Sequence, residues 1–150
     1  MKVRVVTILI RGAEILLMKH SRLGLRYWVL PGGAIDQGET VSDCGRRELL
    51  EETGLEVRLG KLVYLADVIS PDRRKHTLNL FFLGEITGGE FGVTPQKTLG
   101  EHLDEPHWAP LADLPRIYPP IAERLQEDAN RGFSEGAVYL GNLWTTEPGA

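Results

Sequence analysis

The sequence of residues 40–54 predicts a helix whose two ends are both marked. Thr40 is a residue type that caps first turns, and its hydroxyl can accept a hydrogen bond from the backbone of Asp43. Gly54 is the residue type that ends helices in the left-handed conformation. We therefore expect a helix over residues 41–53, preceded by a sharp turn at Pro-Gly-Gly.

Three carboxylates lie on one face of this predicted helix. Glu48, Glu51 and Glu52 are spaced i, i+3 and i+4, so their side chains emerge within a turn and a half. Like charges at this spacing repel, and the helix dipole disfavours negative charge near the C-terminus. A bound cation would offset the repulsion. Ligands that are all oxygen favour magnesium, then manganese and calcium, and a solvated charged face is the alternative.

The rest of the chain alternates between strand-like runs and turns. The strand-like runs are 3–10, 15–20, 27–30, 55–69, 76–86 and 107–109. A long irregular stretch covers 88–104, and a second helix is predicted over 119–129. The apolar run 138–144 fits an added strand, a packing patch or a subunit interface. This order predicts an α+β fold or a mixed α/β sandwich in one domain over 1–150.

Composition indicates which kinds of binding partner and which cellular compartment to expect. The formal net charge of −4 argues against a stable nucleic-acid partner. No apolar run approaches the roughly 20 residues that a membrane-spanning helix needs, so no membrane partner is expected. The only cysteine, Cys44, cannot form an internal disulfide, which favours a reducing, cytoplasmic setting.

The segment GAIDQGETVSDCGRRELLEETGL, from Gly33 to Leu55, matches G-x5-E-x7-R-E-U-x-E-E-x-G-U, where U is aliphatic. This pattern is the Nudix box, so the chain resembles the Nudix hydrolase family. A chance match in a chain of this length is on the order of one in ten million. The resemblance implies the family's α/β/α sandwich, with a mixed sheet and with the box loop and helix at its centre.

The resemblance also implies the ligands of a metal site. By similarity, Glu48, Glu51 and Glu52 hold the catalytic divalent cations, Mg²⁺ or Mn²⁺, and the backbone carbonyl of Gly32 is a further candidate ligand.

Four other box residues have structural roles by the same resemblance. Arg47 pairs with Glu39 and braces the loop against the helix, which suits an arginine because its fork holds a carboxylate in fixed orientation. A plain surface ion pair is the alternative. We expect Gly33 to permit backbone angles that other residues resist, and Gly54 to end the helix.

Nudix family members hydrolyse nucleoside diphosphates linked to a further group. The resemblance therefore implies cleavage of a phosphoanhydride bond in a small-molecule nucleotide derivative, with ADP-ribose or a nucleotide sugar ahead of a nucleoside triphosphate. The general base is predicted to be Glu51 or Glu52 on the helix, or an acidic residue before the last strand. There Glu105 is ranked ahead of Glu101, with His102 and Asp104 alongside.

Basic side chains outside the box are candidates for contacting the outer phosphates. They are Arg22, Arg26, Arg73 and Arg74, with solvated turn residues as the alternative. A different class of function is a Nudix-fold module that binds a nucleotide or RNA without cleaving it. Such modules commonly lose box glutamates, whereas this chain keeps them. A homodimer and a monomer both remain open.

Overall fold

The computed structural model of the protein describes residues 1–22, 25–92 and 102–145, which form two β-sheets and two α-helices. The strands of the larger sheet, in spatial order, are β5 (Gly32–Ala34), β1 (Lys2–Ile8), β7 (His76–Gly89), β6 (Leu55–Ile69) and β9 (Val138–Asn142). The smaller sheet contains β2 (Ile10–Arg11), β3 (Glu14–Arg22), β4 (Leu25–Val29) and β8 (His102–Pro110).

The larger sheet is mixed, as predicted. β1 runs parallel to β7 and β6 runs parallel to β9, whereas β1 with β5 and β6 with β7 are antiparallel. The predicted α+β architecture is thereby confirmed, and the run 138–144 contributes an added strand. In the smaller sheet β8 pairs with β3 along its whole length.

Helix α1 (Val41–Thr53) has the predicted ends. Thr40 Oγ1 accepts a hydrogen bond from the amide of Asp43 at 3.1 Å, and Gly54 ends the helix at φ 80°. Helix α2 (Ala122–Asn130) begins three residues later than predicted. The reason is local, because a proline disfavours helical backbone in the residue before it and two prolines follow Tyr118.

Most predicted strands differ in extent from the observed ones, and two differ most. The run 3–10 is not one strand, because the chain changes sheet at Leu9, whose carbonyl accepts a hydrogen bond from the amide of Leu16 at 3.0 Å. The last predicted strand, 107–109, is β8 and begins at His102. Its first residues are polar and look irregular in sequence, but β3 supplies their partners. The irregular stretch predicted over 88–104 therefore does not include 102–104, which belong to β8.

Each helix contributes to its own cluster of buried side chains. Leu125 of α2 packs with Tyr64, Phe81 and residues of both sheets. Leu49 of α1 packs with a smaller cluster that includes Leu16. This packing fixes the rotation of α1 and hence the direction of its glutamates. Neither helix of the described ranges is long and apolar enough to cross a membrane.

Candidate active site

The glutamates of α1 face strand β5, whose glycines pair with β1 as a strand and do not form the sharp turn that the sequence predicted. The Gly32 amide donates a hydrogen bond to Glu52 Oε1 at 2.9 Å. A Cβ built on Gly33 would lie 2.2 Å from Glu48 Cδ, so the missing side chain leaves the space that this carboxylate occupies. Gly33 does not have a positive φ. The expectation that it supplies unusual backbone angles was wrong, since what it supplies is space.

Arg47 ties the box loop to the helix through Glu39. Its Nε and Nη2 donate to the two oxygens of Glu39 at 2.7 and 3.0 Å, the forked pairing expected from the sequence. Nη2 also donates to the Ala34 carbonyl at 3.2 Å. The hydrogen bonds from Arg47, followed by that from the Asp36 amide, lower the pKa of Glu39 to about 2. Glu39 is therefore an ionised brace between loop and helix.

The same guanidinium also contacts the remaining glutamates. Arg47 Nη1 donates to Glu48 Oε1 at 2.8 Å and to Glu51 Oε2 at 3.4 Å. Because Arg47 lies against these two and Glu52 turns to the Gly32 amide, the structure does not gather the three as one ligand cluster. No group of three acidic, histidine or cysteine side chains stands ready to hold an ion within 1–22, 25–92 and 102–145.

Burial shapes the charge state of two of these carboxylates. Desolvation raises the pKa of Glu48, and it raises the pKa of Glu52 to about 8, against the opposing charge of Arg4. Arg4 Nη2 donates to the Gly32 carbonyl at 3.2 Å, so that candidate ligand atom already has a cationic partner. The sequence reasoning missed Arg4, although a charge between valines of a strand was a signal that it faces something specific.

The donor set fits a hard divalent cation. Glu48, Glu51 and Glu52 offer only carboxylate oxygens, which Mg²⁺ and Mn²⁺ prefer. Two of these groups have a raised pKa because burial leaves their negative charge poorly compensated. A divalent cation would provide that compensation, and the guanidiniums of Arg4 and Arg47 provide part of it in the structure.

Strand β8 brings Asp104, rather than Glu105, toward the box helix. Asp104 lies opposite His20 on β3, with 3.6 Å between Oδ1 and Nε2. Besides burial, the charge of Asp104 contributes to the raised pKa of Glu52. Neighbouring strand residues point to opposite faces, and Glu105 contacts His107 at 3.5 Å.

Of the other candidate base and the candidate phosphate contacts, the structure describes the side chains of three arginines. Glu101 lies outside the described residues, as does the side chain of Arg22. Arg73 and Arg74 are exposed in the turn between β6 and β7. Arg26 lies on β4 and lines a hollow at the edge of that strand. The structure therefore places Arg26 in a different part of the fold from Arg73 and Arg74.

The inner side of α1 is built for close packing. A Cβ on Gly45 would lie 2.5 Å from Leu59 Cδ1, which explains a glycine inside a helix. Cys44 is buried, and its thiol donates to the Gly33 carbonyl at 3.7 Å. Burial raises the pKa of Cys44 to about 11, so it is not a nucleophile at neutral pH.

Known proteins resemble the chain over most of its length. A family model described as NUDIX domain matches residues 1–128. The NAD-capped RNA hydrolase NudC of Pectobacterium carotovorum subsp. carotovorum is 32% identical over 120 residues, which are 79% of this chain and 43% of that protein. The putative 8-oxo-dGTP diphosphatase of Bacillus subtilis is 34% identical over 135 residues, covering 90% of this chain and 83% of that protein.

A solved structure agrees in fold. The crystal structure of an ADP-ribose pyrophosphatase from Streptococcus suis has a TM-score of 0.67 and 25% identity, and the match covers 92% of this chain and 98% of that chain. The chain spans less than half the length of the NudC relatives that it matches.

Proposed function

The chain belongs to the Nudix family, and we propose that it hydrolyses a phosphoanhydride bond in a nucleoside diphosphate linked to another moiety. One observation carries the proposal. All three box glutamates are present on the face of α1 that meets strand β5, and Glu52 is held there by the Gly32 amide at 2.9 Å. Nudix-fold modules that only bind their ligand commonly lose box glutamates, whereas this chain keeps all three.

The proposed substrate is ADP-ribose or a nucleotide sugar. The likeness to the Streptococcus suis ADP-ribose pyrophosphatase covers 92% of this chain and supports this class. A nucleoside triphosphate is the second candidate, supported by the likeness to the putative 8-oxo-dGTP diphosphatase of Bacillus subtilis. Both classes share the phosphoanhydride bond, so the same carboxylates serve either reaction.

We assign one shared task to the three glutamates and a second task to Glu51. Glu48, Glu51 and Glu52 would together hold a divalent cation, with Mg²⁺ ahead of Mn²⁺. When bound, the cation supplies charge neutralisation for the diphosphate and Lewis acidity. Glu51 has a 29% exposed side chain and only a 3.4 Å contact to Arg47, which leaves it able to turn. We propose that Glu51 takes the proton from the attacking water.

Arg47 and Glu39 set the geometry in which these glutamates act. The fork at 2.7 and 3.0 Å fixes the end of the box loop, one residue before the N-cap Thr40, relative to the helix. Glu39 stays ionised because Arg47 lowers its pKa to about 2. The pair therefore keeps its charge over the whole pH range in which a hydrolase of this kind would work.

The proposal is tested with a substrate panel scored by product identity. ADP-ribose, sugar nucleotides, dinucleoside polyphosphates and deoxynucleoside triphosphates are incubated with Mg²⁺ and, separately, with Mn²⁺. The Glu52→Gln variant is expected to lose at least about a hundredfold in kcat. Glu123→Gln on the exposed side of α2 is the matched control. Wild type that binds nucleotides but cleaves none of them would instead identify a binding module.

A further inference from the structure

Arg4 lies at the carboxylate site, although the proposed reaction gives it no task. It is a half-buried cation between two valines of β1, and its Nη2 donates to the Gly32 carbonyl at 3.2 Å. The Gly32 amide donates to Glu52 Oε1 at 2.9 Å. A single glycine therefore has a cation at its carbonyl and a carboxylate at its amide.

The position of Gly32 in the sheet explains why side chains contact its backbone. β5 is the end strand of the larger sheet, and it pairs on one side with β1. Backbone groups on the other side of an end strand need partners from outside the sheet. Glu52 and Arg4 are those partners at Gly32. Because Arg4 lies opposite Ala34 in the strand register, it reaches Gly32 diagonally, which requires a long side chain.

The charge of Arg4 acts on the buried glutamates. Burial has the largest effect on the pKa of Glu52 and raises it, and the charge of Arg4 is the largest effect that lowers it. Burial also raises the pKa of Glu48, where the contacts with Arg47 oppose it more strongly than Arg4 does. The two guanidiniums thus divide the site, because Arg47 contacts Glu48 and Glu51 while Arg4 compensates Glu52.

The groups beside Arg4 are also groups that a divalent cation binds. Carboxylate and carbonyl oxygens are the ligands that Mg²⁺ prefers, and Glu52 and Gly32 supply one of each. Two cations at one place repel each other. The Coulomb energy between a unit charge and a doubly charged ion several ångströms away corresponds to about a factor of ten or more in affinity. Arg4 therefore favours the metal-free site over the filled one.

We propose that Arg4 is a resident counter-cation that competes with the divalent ion and so sets the Mg²⁺ affinity of the site. Arg4 is then a positioning residue, which acts through Gly32 and Glu52 rather than on the reacting atoms. This inference rests on the cation site of the proposed function and adds to it the residue that tunes that site. The alternative is a purely structural contact between β1 and β5.

The test measures Mg²⁺ affinity and thermal stability rather than turnover. Arg4→Met removes the charge and keeps a long side chain, whereas Arg4→Lys keeps the charge. The control is Arg58→Met, which removes an exposed guanidinium that pairs with Glu85. Each protein is titrated with Mg²⁺ by calorimetry, and its Tm is measured in EDTA and in saturating Mg²⁺. All measurements are made at pH 9, above the pKa of about 8 to which burial raises Glu52.

We expect Arg4→Met to bind Mg²⁺ about tenfold more tightly than wild type, and Arg4→Lys to stay within about twofold of wild type. In EDTA the Tm of Arg4→Met should be lower by about 4 °C, because the buried carboxylates lose their counter-charge. In saturating Mg²⁺ most of this difference should disappear, since the variant gains more from the ion. In a Glu52→Gln background, Arg4→Met should lower the Tm in EDTA by less than half as much.

A purely structural contact would lower the Tm of Arg4→Met equally in EDTA and in Mg²⁺, and that result overturns the inference, as does Mg²⁺ binding no tighter than that of wild type. If Arg4→Met does not fold, Arg4→Gln takes its place and the same comparisons decide. Wild type that hydrolyses nucleotides, with unchanged affinity in the variant, refutes the role of Arg4 alone. The expected change of affinity in a protein that hydrolyses no nucleotide supports that role and refutes the proposed function. Wild type that binds no Mg²⁺ refutes both.

Discussion

Replacing Gly33 by alanine should damage the carboxylate site while the fold survives. The added Cβ would lie 2.2 Å from Glu48 Cδ and 2.3 Å from Oε1, which are the far end of a flexible side chain. Glu48 can swing away, losing its hydrogen bond to Arg47 but gaining hydration. The expected loss of unfolding free energy is about 1 kcal/mol. Mg²⁺ affinity should fall by about 10- to 100-fold, because a displaced carboxylate no longer meets its neighbours.

Replacing Gly32, one residue earlier, by alanine should damage the fold more than the carboxylate site. Its Cβ would lie 2.3 Å from the Val5 carbonyl oxygen and 2.9 Å from Val6 Cα. These are backbone atoms at the point where β5 pairs with β1, and no rotamer change relieves the clash. Separating the strands should cost about 3 kcal/mol.

The Gly33→Ala and Gly32→Ala variants are compared by urea unfolding in EDTA and by calorimetric titration with Mg²⁺. Gly136→Ala is the control, since a Cβ there meets nothing within 4 Å and the residue has no positive φ. If Gly33→Ala binds Mg²⁺ as tightly as wild type, the packing of Glu48 against Gly33 has no part in the site. If both variants unfold at the same urea concentration, the distinction between side-chain and backbone clashes is wrong.

Three further outcomes are expected. Arg47→Lys should lower the unfolding free energy by about 2 kcal/mol, because one ammonium cannot reproduce the fork, while Arg46→Lys should change it little in the same urea titration. Asp128→Ala should lower the unfolding free energy by about 2 kcal/mol in that assay, because it removes the hydrogen-bond acceptor of the buried Tyr64 hydroxyl. The pKa of Glu52 is raised to about 8, so the folded metal-free protein holds a proton that the unfolded chain releases near 4.5. The Tm of the protein in EDTA should therefore fall as pH rises from about 4.5 to 8. The Glu52→Gln variant should show a smaller fall of Tm over this range. If the variant shows the same fall as wild type, the effect belongs to another group.

Local chemistry explains why helix α1 could be predicted to the residue. The Thr40 hydroxyl satisfies a free amide of the first turn, and Gly54 adopts a conformation that side chains resist, so both ends depend only on nearby residues. The fork between Arg47 and Glu39 could be expected for a similar reason, because it spans eight residues inside one motif. The first part of strand β8 could not be expected, since β3, which lies far away in the chain, supplies its pairing partners.

Residue order therefore specified the helix and the spacing of Glu48, Glu51 and Glu52 along it. Strand pairing, which joins parts of the chain that are distant in sequence, decided what meets that helix. It brought Arg4 to the Gly32 carbonyl and turned Asp104 toward Glu52. A shift of one residue in a strand reverses the face of every side chain, so these neighbours depend on register, which only the folded protein defines.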